Sequence, residues 1–573
     1  MLKPKLFSII KLRKTELSKK QFMRDCISGI IVAIIALPLS VALAIASGVS
    51  PEKGLITAII GGFLISFLGG SRVQIGGPTG AFVVIVYGIV QKYGIEGLTI
   101  ATIMSGALLV VFGLFRFGSI IKYIPYPITT GFTTGIAVVL FSTQVKDFFG
   151  LKIEQVPSGF FAKWGSYFSS FHTIQLETLI VGVSALLIII LTPKINKTIP
   201  GSLIALVITT ISVQIFHLPV ATIGSIFGDI SSSIPAPKLV GINMQTISDL
   251  MHPAITIAIL AGIESLLSAV VADGMIGKKH NSNMELIAQG VANIGCAIFG
   301  GIPATGAIAR TAANVKNGGR TPIAGIVHSV VLLLIMLIFM PYAKLIPMTT
   351  LAAILIVVAY NMSEWRAFKG LFNSTKSDTA VLLITFLLTV IFDLVVAIEL
   401  GMIFALFLSI KKIADSTQIN EINPLLKDIS EDEENETEYF SETSDTPKQI
   451  LVYEINGALF FGAASTFMDV MSEVKSTADI LIIRMKNVPI FDATALDVLK
   501  RIDMRCRKHH IMLMLTELQP QPRKLLDKTG FVDKLGEERL FEKFDDAFEL
   551  ARSIVDFKNK TAKVRKKKSL VAK

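Results

Sequence analysis

Two short stretches carry residue types suited to holding an anion without a fixed charge. The first reads Gly76-Gly77-Pro78-Thr79-Gly80-Ala81-Phe82. The second reads Gly300-Gly301-Ile302-Pro303-Ala304-Thr305-Gly306-Ala307-Ile308. Each pairs a glycine-rich break and a proline with a Thr-Gly-Ala step at the start of an apolar run. At a helix start the first N–H groups lack partners in their own helix, and the helix dipole adds partial positive charge at the same place. Gly80 and Gly306 leave the backbone open to an approaching anion, Thr79 and Thr305 add hydroxyl donors, and Ala81 and Ala307 follow with small side chains. Pro78 and Pro303 lack an N–H that would otherwise be orphaned. Glu264 is the only charged residue between Pro253 and Ala272. A carboxylate in mid-span costs about 2.5 kcal/mol or more, so it is expected to face the protein interior or a cavity. There it binds a proton, or holds Na⁺ with Ser268 one turn on, or is neutralised by a basic neighbour. Arg310, about one turn past Gly306, attracts the anion, pairs with Glu264, or ties its helix to the neighbours. Asp393 and Glu399 are expected in an interfacial elbow, and His280 and His328 in loops or at helix ends.

The elements that would position these residues are membrane helices. The chain has 573 residues, 52% of them hydrophobic, and a mean hydropathy of +0.63. A soluble domain is normally less apolar and more charged. The excess sits in long blocks between Cys26 and Ile410, many long enough to cross roughly 30 Å of hydrocarbon. They number about fourteen, counting Thr379–Ile410 as two helices. An even number puts both ends on the cytoplasmic side. Pro78–Val90 and Thr305–Asn314 reach only about halfway at a rise of about 1.5 Å per residue. Each follows two full-length blocks, so the order full, full, half occurs twice. Paired short, Gly/Pro-interrupted segments of this kind point to an inverted-repeat transporter and to its binding site.

Charge agrees with this. The net charge is +11, but Lys3, Lys5, Lys11, Arg13, Lys14, Lys19, Lys20 and Arg24 precede the first span against Glu16 and Asp25. That is positive-inside anchoring of a cytoplasmic N-terminus. The tail Lys563, Arg565, Lys566, Lys567, Lys568 suits an anionic leaflet and does not suggest nucleic acid. No signal peptide is expected, since a long polar segment precedes the first apolar run. Cys26, Cys296 and Cys506 form no CxxC pair. No phosphate-binding loop and no metal cluster are evident, so no cofactor and no enzymatic chemistry are expected.

After Lys411 the pattern changes. Asp428 to Pro447 holds Glu431, Asp432, Glu433, Glu434, Glu436, Glu438, Glu442 and Asp445 and no Lys or Arg, as in a solvated linker. Strand-like Ile450–Ile455, Ile480–Met485 and Ile511–Leu515 alternate with helix-like Ala463–Val474, Thr494–His509 and Asp545–Ile554, which indicates a small α/β domain. The expected organisation is a basic N-terminus (1–25), a membrane domain (26–412), an acidic linker (413–447), the α/β domain (448–556) and a basic tail (557–573).

The chain resembles the sulfate permease family of anion transporters, whose animal relatives form the solute carrier 26 group. The resemblance rests on Ala36-Leu37-Pro38-Leu39-Ser40, Ser47-Gly48-Val49-Ser50-Pro51, the two breaks, Glu264-Ser265-Leu266-Leu267, Ala309-Arg310-Thr311 and Phe392-Asp393-Leu394. It implies a polytopic α-helical membrane protein of fourteen segments in two inverted repeats of seven. It also implies a core domain moving elevator-like against a gate domain, and a homodimer in the cell membrane. The anion would lie between the half-helices, walled by Leu39, Ser40 and Leu43 and by the Glu264 span. The soluble domain resembles the STAS domain. Thr494, in Asp492-Ala493-Thr494-Ala495, falls at the phosphorylatable position of related regulators, which implies a cytosolic protein partner; Asp492 or Thr494 alternatively only caps the following helix. Cyanobacterial sodium-bicarbonate members have Asp where this chain has Glu264 and Thr where it has Ser268, which favours H⁺ over Na⁺ here. Gly262 to Asn281 and Asn361-Met362-Ser363-Glu364 look most like the enterobacterial C4-dicarboxylate branch. The leading expectation is a proton-coupled symporter or exchanger of sulfate, bicarbonate or a C4-dicarboxylate. Na⁺-coupled bicarbonate uptake, an anion channel, and an anion sensor signalling through the STAS domain are the alternatives.

Overall fold

Long apolar runs bury their backbone polar groups only as helices, and most of the described residues up to Ala405 are helical. The computed structural model describes residues 3–11, 18–119, 125–154, 156–157, 159–195, 200–238, 241, 243–392, 394–422, 449–472 and 478–571. Asp393 and the acidic run at 428–447 lie outside the described residues. The chain forms two compact units, Met1–Ala405 and Leu406–Lys573.

Within the first unit the helices fall into two packing groups. One joins Lys19–Ala46, Pro51–Leu68, Val83–Leu114, Met244–Ile276, Ser282–Ile298, Ile308–Lys316 and Ile323–Ala343. The other joins Tyr126–Phe149, Leu176–Ile195, Gly201–Ile215, Met348–Met362 and Lys376–Ile391. Both groups contribute to a buried apolar cluster that includes Ala36, Leu43, Leu55, Leu332, Leu351 and Leu355. Glycines permit the closest crossings. A Cβ on Gly106 would meet the Gly290 carbonyl at 2.6 Å, and one on Gly290 would meet the Gly106 carbonyl at 2.4 Å. Such small-residue contacts are how membrane helices gain packing.

Among the described residues, eight helices are long and apolar enough to cross a membrane, with one shorter apolar helix at Gly201–Ile215. The sequence leads one to expect about fourteen spans. The difference has physical causes. Gly80–Leu114 runs through Gly94, whose left-handed backbone (φ 68°) breaks it into the expected half and full segments. Ser282–Ile298 has 17 residues, Lys376–Ile391 has 16, and Ile308–Lys316 has 9. The Glu264 helix starts at Met244, well before the expected Pro253. The Asp249 carbonyl, which Pro253 deprives of its helical donor, accepts the Tyr93 hydroxyl at 3.4 Å.

Three other expectations change. Glu399 lies inside helix Leu394–Asp415 and not in an elbow. His328 is fully buried within Ile323–Ala343 and not at a helix end, whereas His280 does sit in a turn, on Asp273 at 2.7 Å. An amphipathic helix, Phe160–Ser170, follows Tyr126–Phe149 where no element is expected.

The second unit is a five-stranded sheet. Its central strands Ile450–Asn456, Ile480–Asn487 and Met512–Thr516 run parallel, and Leu540–Phe541 adds to the far edge. Helices Phe461–Ser472 and Ala493–Lys508 contribute to an apolar core on one face with Ile455, Ile483 and Leu515. Ala547, Ala551 and Val555 of helix Phe544–Val571 pack on the other, against Val452, Ile482 and Met514. Arg484 binds both Glu517 and Glu454 between neighbouring strands. Gln418–Glu421 pairs antiparallel with Ile450–Asn456. The expected linker at 413–447 therefore contributes an edge strand, because its first residues offer a backbone ladder to an otherwise open sheet edge. The terminal helix likewise runs on to Val571, through the expected tail.

Candidate anion-binding site

The two breaks meet. Gly76–Gly77 and Thr305–Gly306 form a two-stranded antiparallel ladder, with Gly76 opposite Gly306 and Gly77 opposite Thr305. Helices leave it from both sides. A tight turn at Gly80–Phe82 opens the first half-helix, with extended Thr79 as its cap, and extended Ala307 caps Ile308–Lys316. The ladder spends the backbone groups of the crossing itself. The N–H groups of Gly80 and Ala81 on one side, and of Ile308 and Ala309 on the other, donate to no described residue. On the second side these lie later than the expected Thr305, Gly306 and Ala307: Thr305 and Gly306 are in the ladder, and the Ala307 N–H donates to the Ile75 carbonyl at 2.9 Å.

The hydroxyls are engaged differently from the expectation. Thr79 Oγ1 donates to Glu264 Oε2 at 2.7 Å. Thr305 is fully buried and donates to the Ala261 carbonyl at 2.9 Å. One half-helix is thereby tied to the Glu264 carboxylate and the other to the backbone of the same helix, one turn away. Ser268 donates to Thr311 Oγ1 at 3.3 Å, and Thr311 in turn accepts the Ile75 N–H at 3.1 Å, so Ser268 supports the second half-helix. Ser40 is fully buried with its hydroxyl unpartnered, and Leu43 is buried in the apolar cluster.

Arg310 forms no ion pair with Glu264. Its Nη2 donates to the Pro78 carbonyl at 2.6 Å, while Nη1 is buried with no partner. A guanidinium has no acceptor capacity and needs every donor met, so this one crosses from the second half-helix to the first with a donor to spare. Gly77 has φ 151°, and a Cβ there would stand 2.4 Å from that Nη1. The crossing thus depends on glycine twice over.

The supports of this ladder are polar groups that the sequence reading passes over. Gln74 donates to Ser265 Oγ at 2.9 Å. Asn293 donates to the Ala304 carbonyl at 2.8 Å and accepts the Ala304 N–H at 2.9 Å. A π-helical turn at Thr57–Gly61 presents Thr57 Oγ1 to the Ile302 N–H at 2.7 Å, the kind of irregularity found at functional sites. Glu285, fully buried, accepts from the N–H groups of Gly70 and Ser71 at 2.8 and 2.9 Å and from Gln289 at 3.0 Å. An acidic residue at the edge of an apolar block reads as a boundary, which is why it escapes notice. Its one available signal is that Gln289 and Asn293 follow at helical spacing, making a polar stripe on an apolar helix. We expect Glu285→Ala to strand these donors at about 1–3 kcal/mol each. The unfolding temperature of the detergent-solubilised protein should fall sharply, and an unchanged value would show that the loop is held by something else.

In the second unit, Asp492 accepts the Ala495 N–H at 2.8 Å and the Phe461 N–H at 3.1 Å, so it caps its helix and pins a loop. Thr494 is exposed in the first turn of that helix.

The sequence profile described as Sulfate permease family matches residues 22–385, and that of the STAS domain matches residues 443–547. YvdB of Bacillus subtilis, whose name assigns it provisionally to sulfate transport, is 41% identical over 531 residues, 92% of this chain and 97% of that one. The bicarbonate transporter BicA of a Picosynechococcus species is 29% identical over 489 residues, 82% of this chain and 84% of BicA. Among solved structures, the murine Slc26a9 anion transporter in its inward-facing state matches with a TM-score of 0.83 over 94% of this chain and 92% of that one; at 18% identity this speaks for the fold alone. The transmembrane domain of a cyanobacterial BicA matches with a TM-score of 0.60 at 27% identity, over 68% of this chain and 98% of the domain. These relatives are transporters and not enzymes. With residues 22–385 of its helical unit matched and a STAS domain after it, the chain belongs to the sulfate permease family of membrane anion transporters.

Proposed function

We propose that this protein is a secondary active transporter that holds a small anion between its two half-helix starts and couples its movement to a proton on Glu264. The observation that carries the reading is the Gly76–Gly77 and Thr305–Gly306 ladder, which leaves unspent N–H groups on both sides of one crossing. Thr79, Gly80 and Ala81 form one wall, and Thr305, Gly306 and Ala307 the other. Ser40 and Leu43 close the side, and Arg310 Nη1 adds a charged donor. Such a site offers donors and one cation, enough to replace water without trapping the solute. Glu264 is half-buried and bonded to Thr79, so its protonation state bears on the first half-helix directly. Ser268 spends its hydroxyl on Thr311, which disfavours a Na⁺ cage of Glu264 and Ser268.

The division of the helices into two groups supports elevator-type alternating access, in which the half-helix group carries the anion past the other. The basic residues before the first span support a cytoplasmic N-terminus, an even number of spans puts the C-terminus on the same side of the cell membrane, and a homodimer completes the assembly. The STAS domain offers exposed Thr494 as a regulatory phosphorylation point for a cytosolic partner. Sulfate, bicarbonate and C4-dicarboxylates are the substrate classes; the names of YvdB and BicA support the first two. The test is uptake by the purified full chain in liposomes, with labelled sulfate, bicarbonate and succinate, under an inward proton gradient and with or without Na⁺. Accumulation of one of them without Na⁺ is the expected result. An absolute need for Na⁺, or no uptake of any of the three, overturns the reading.

A further inference from the structure

A second polar cavity lies between the two helix groups, away from the ladder. Its volume is 210 Å³. Its polar lining includes Tyr87, Gln144, Lys146, Asp147, Lys163 and Tyr167, over an apolar floor from helices Lys19–Ala46 and Met348–Met362. Tyr87 belongs to the first half-helix, roughly 10 Å further along its axis than Gly80 at about 1.5 Å per residue. The cavity is therefore one step from the ladder, toward the face where helix Lys19–Ala46 ends.

Three of these groups have unmet needs. Lys163, only 4% exposed, is brought in by the unexpected helix Phe160–Ser170, yet its ammonium makes no hydrogen bond or ion pair with any described residue. Tyr167, on the same helix, is fully buried with its hydroxyl unpartnered. The Asp147 carboxylate accepts no hydrogen bond from a described residue and does not come within ion-pair distance of Lys163. The Tyr167 hydroxyl is fully buried without a partner, and the Lys163 ammonium meets only the cavity, stripped of most of its hydration; both arrangements are costly unless something fills the space. The helix is nonetheless held in place, with Trp164 packed edge-on against Tyr167 at 5.8 Å and donating to Ser142 at 3.1 Å. Water would meet the donors. It would not offset the charge, since among the described residues two lysines and one aspartate line the cavity. A small oxyanion accepts from Lys163 and Tyr167, offsets the remaining positive charge and leaves Asp147 to water on the far side; it also fits the volume, which equals that of several waters at about 30 Å³ each.

We propose that this cavity is a second anion site, in which Lys163 and Tyr167 hold a small oxyanion on its way to or from the half-helices. The proposal deepens the transport reading, and the identity of the ligand as a small anion rests on that reading. Because the walls come from both helix groups, an anion here also bridges parts that the transport cycle moves against each other.

The test is equilibrium binding of labelled sulfate and of labelled bicarbonate to the purified full chain in detergent. The wild type should take up two equivalents of one of these anions per chain, and Lys163→Gln one. Lys163→Arg should keep both, and Tyr167→Phe should weaken one site about fivefold, the loss of roughly one hydrogen bond. Size-exclusion profiles check folding, and Tyr167→Phe, which removes a single oxygen, serves if Lys163→Gln does not fold. Unchanged stoichiometry and affinity in both variants overturns this site and leaves the half-helix reading intact. One equivalent in the wild type that Lys163→Gln abolishes supports this site and overturns binding at the half-helices. No binding of either anion to the wild type overturns this site and leaves the half-helix reading to the uptake of succinate.

Discussion

Replacing Glu264 with glutamine is expected to abolish proton-driven accumulation while leaving anion binding in place. Glutamine has nearly the same shape, and its carbonyl oxygen still accepts the Thr79 hydroxyl that Glu264 receives at 2.7 Å. The first half-helix therefore stays tied to helix Met244–Ile276. What is lost is a group that takes up and releases a proton within the site. One proton moved per anion converts each unit of pH gradient into about 1.36 kcal/mol, or roughly tenfold accumulation. In liposomes with a one-unit inward gradient, the mutant should bring the substrate only to equal concentration on the two sides, against about tenfold for the wild type. Accumulation by Glu264→Gln equal to that of the wild type would remove the coupling assignment. Loss of binding together with coupling would mean that the carboxylate is part of the anion's cage.

The second large effect is expected at Gly306. Gly306→Val should remove anion binding and destabilise the fold, for a reason that differs from the one the sequence suggests. From the sequence, Gly306 is an open approach for an anion to bare backbone. In the structure a Cβ at Gly306 would lie 1.5 Å from Gln74 Nε2 and 2.5 Å from Gln74 Cδ. Gln74 is 4% exposed and donates to the Ser265 hydroxyl and carbonyl. It moves aside only by leaving those groups unmet. Overpacking costs about 1–3 kcal/mol, and each stranded buried partner about 1–3 more. Together these are enough to unfold a marginal membrane domain or to pull the ladder apart. The cause is separable. Gly306→Ala should lower the unfolding temperature, and adding Gln74→Ala should then lower it further by less than Gln74→Ala does alone, because the clash is gone while the Ser265 groups stay unmet. A stable Gly306→Val protein that binds its anion normally would contradict both the crossing and the site.

Much of this protein is legible in one dimension. Helix-length apolar blocks, two of them halved by Gly and Pro, follow from the residues alone. A hydrocarbon layer admits few alternatives to a helix, and a Gly-Pro break in a helix leaves donors that something must use. The lone carboxylate Glu264 is equally visible, because a charge in an apolar run stands out. The α/β pattern after the acidic segment is readable from its alternating strands and helices. Tertiary structure alone decides which donors remain free. Thr305 and Ala307 look like site donors in sequence, yet each is spent on a carbonyl, that of Ala261 and that of Ile75. Arg310 looks like a partner for Glu264 and reaches Pro78 instead. Glu285 looks like a block edge and is the buried anchor of a loop 215 residues away in the chain. Periodicity reports which face of an element is apolar. It carries no information on which distant carbonyl or amide will face a given polar group, and in a dry interior that pairing settles whether a donor serves the fold or the solute.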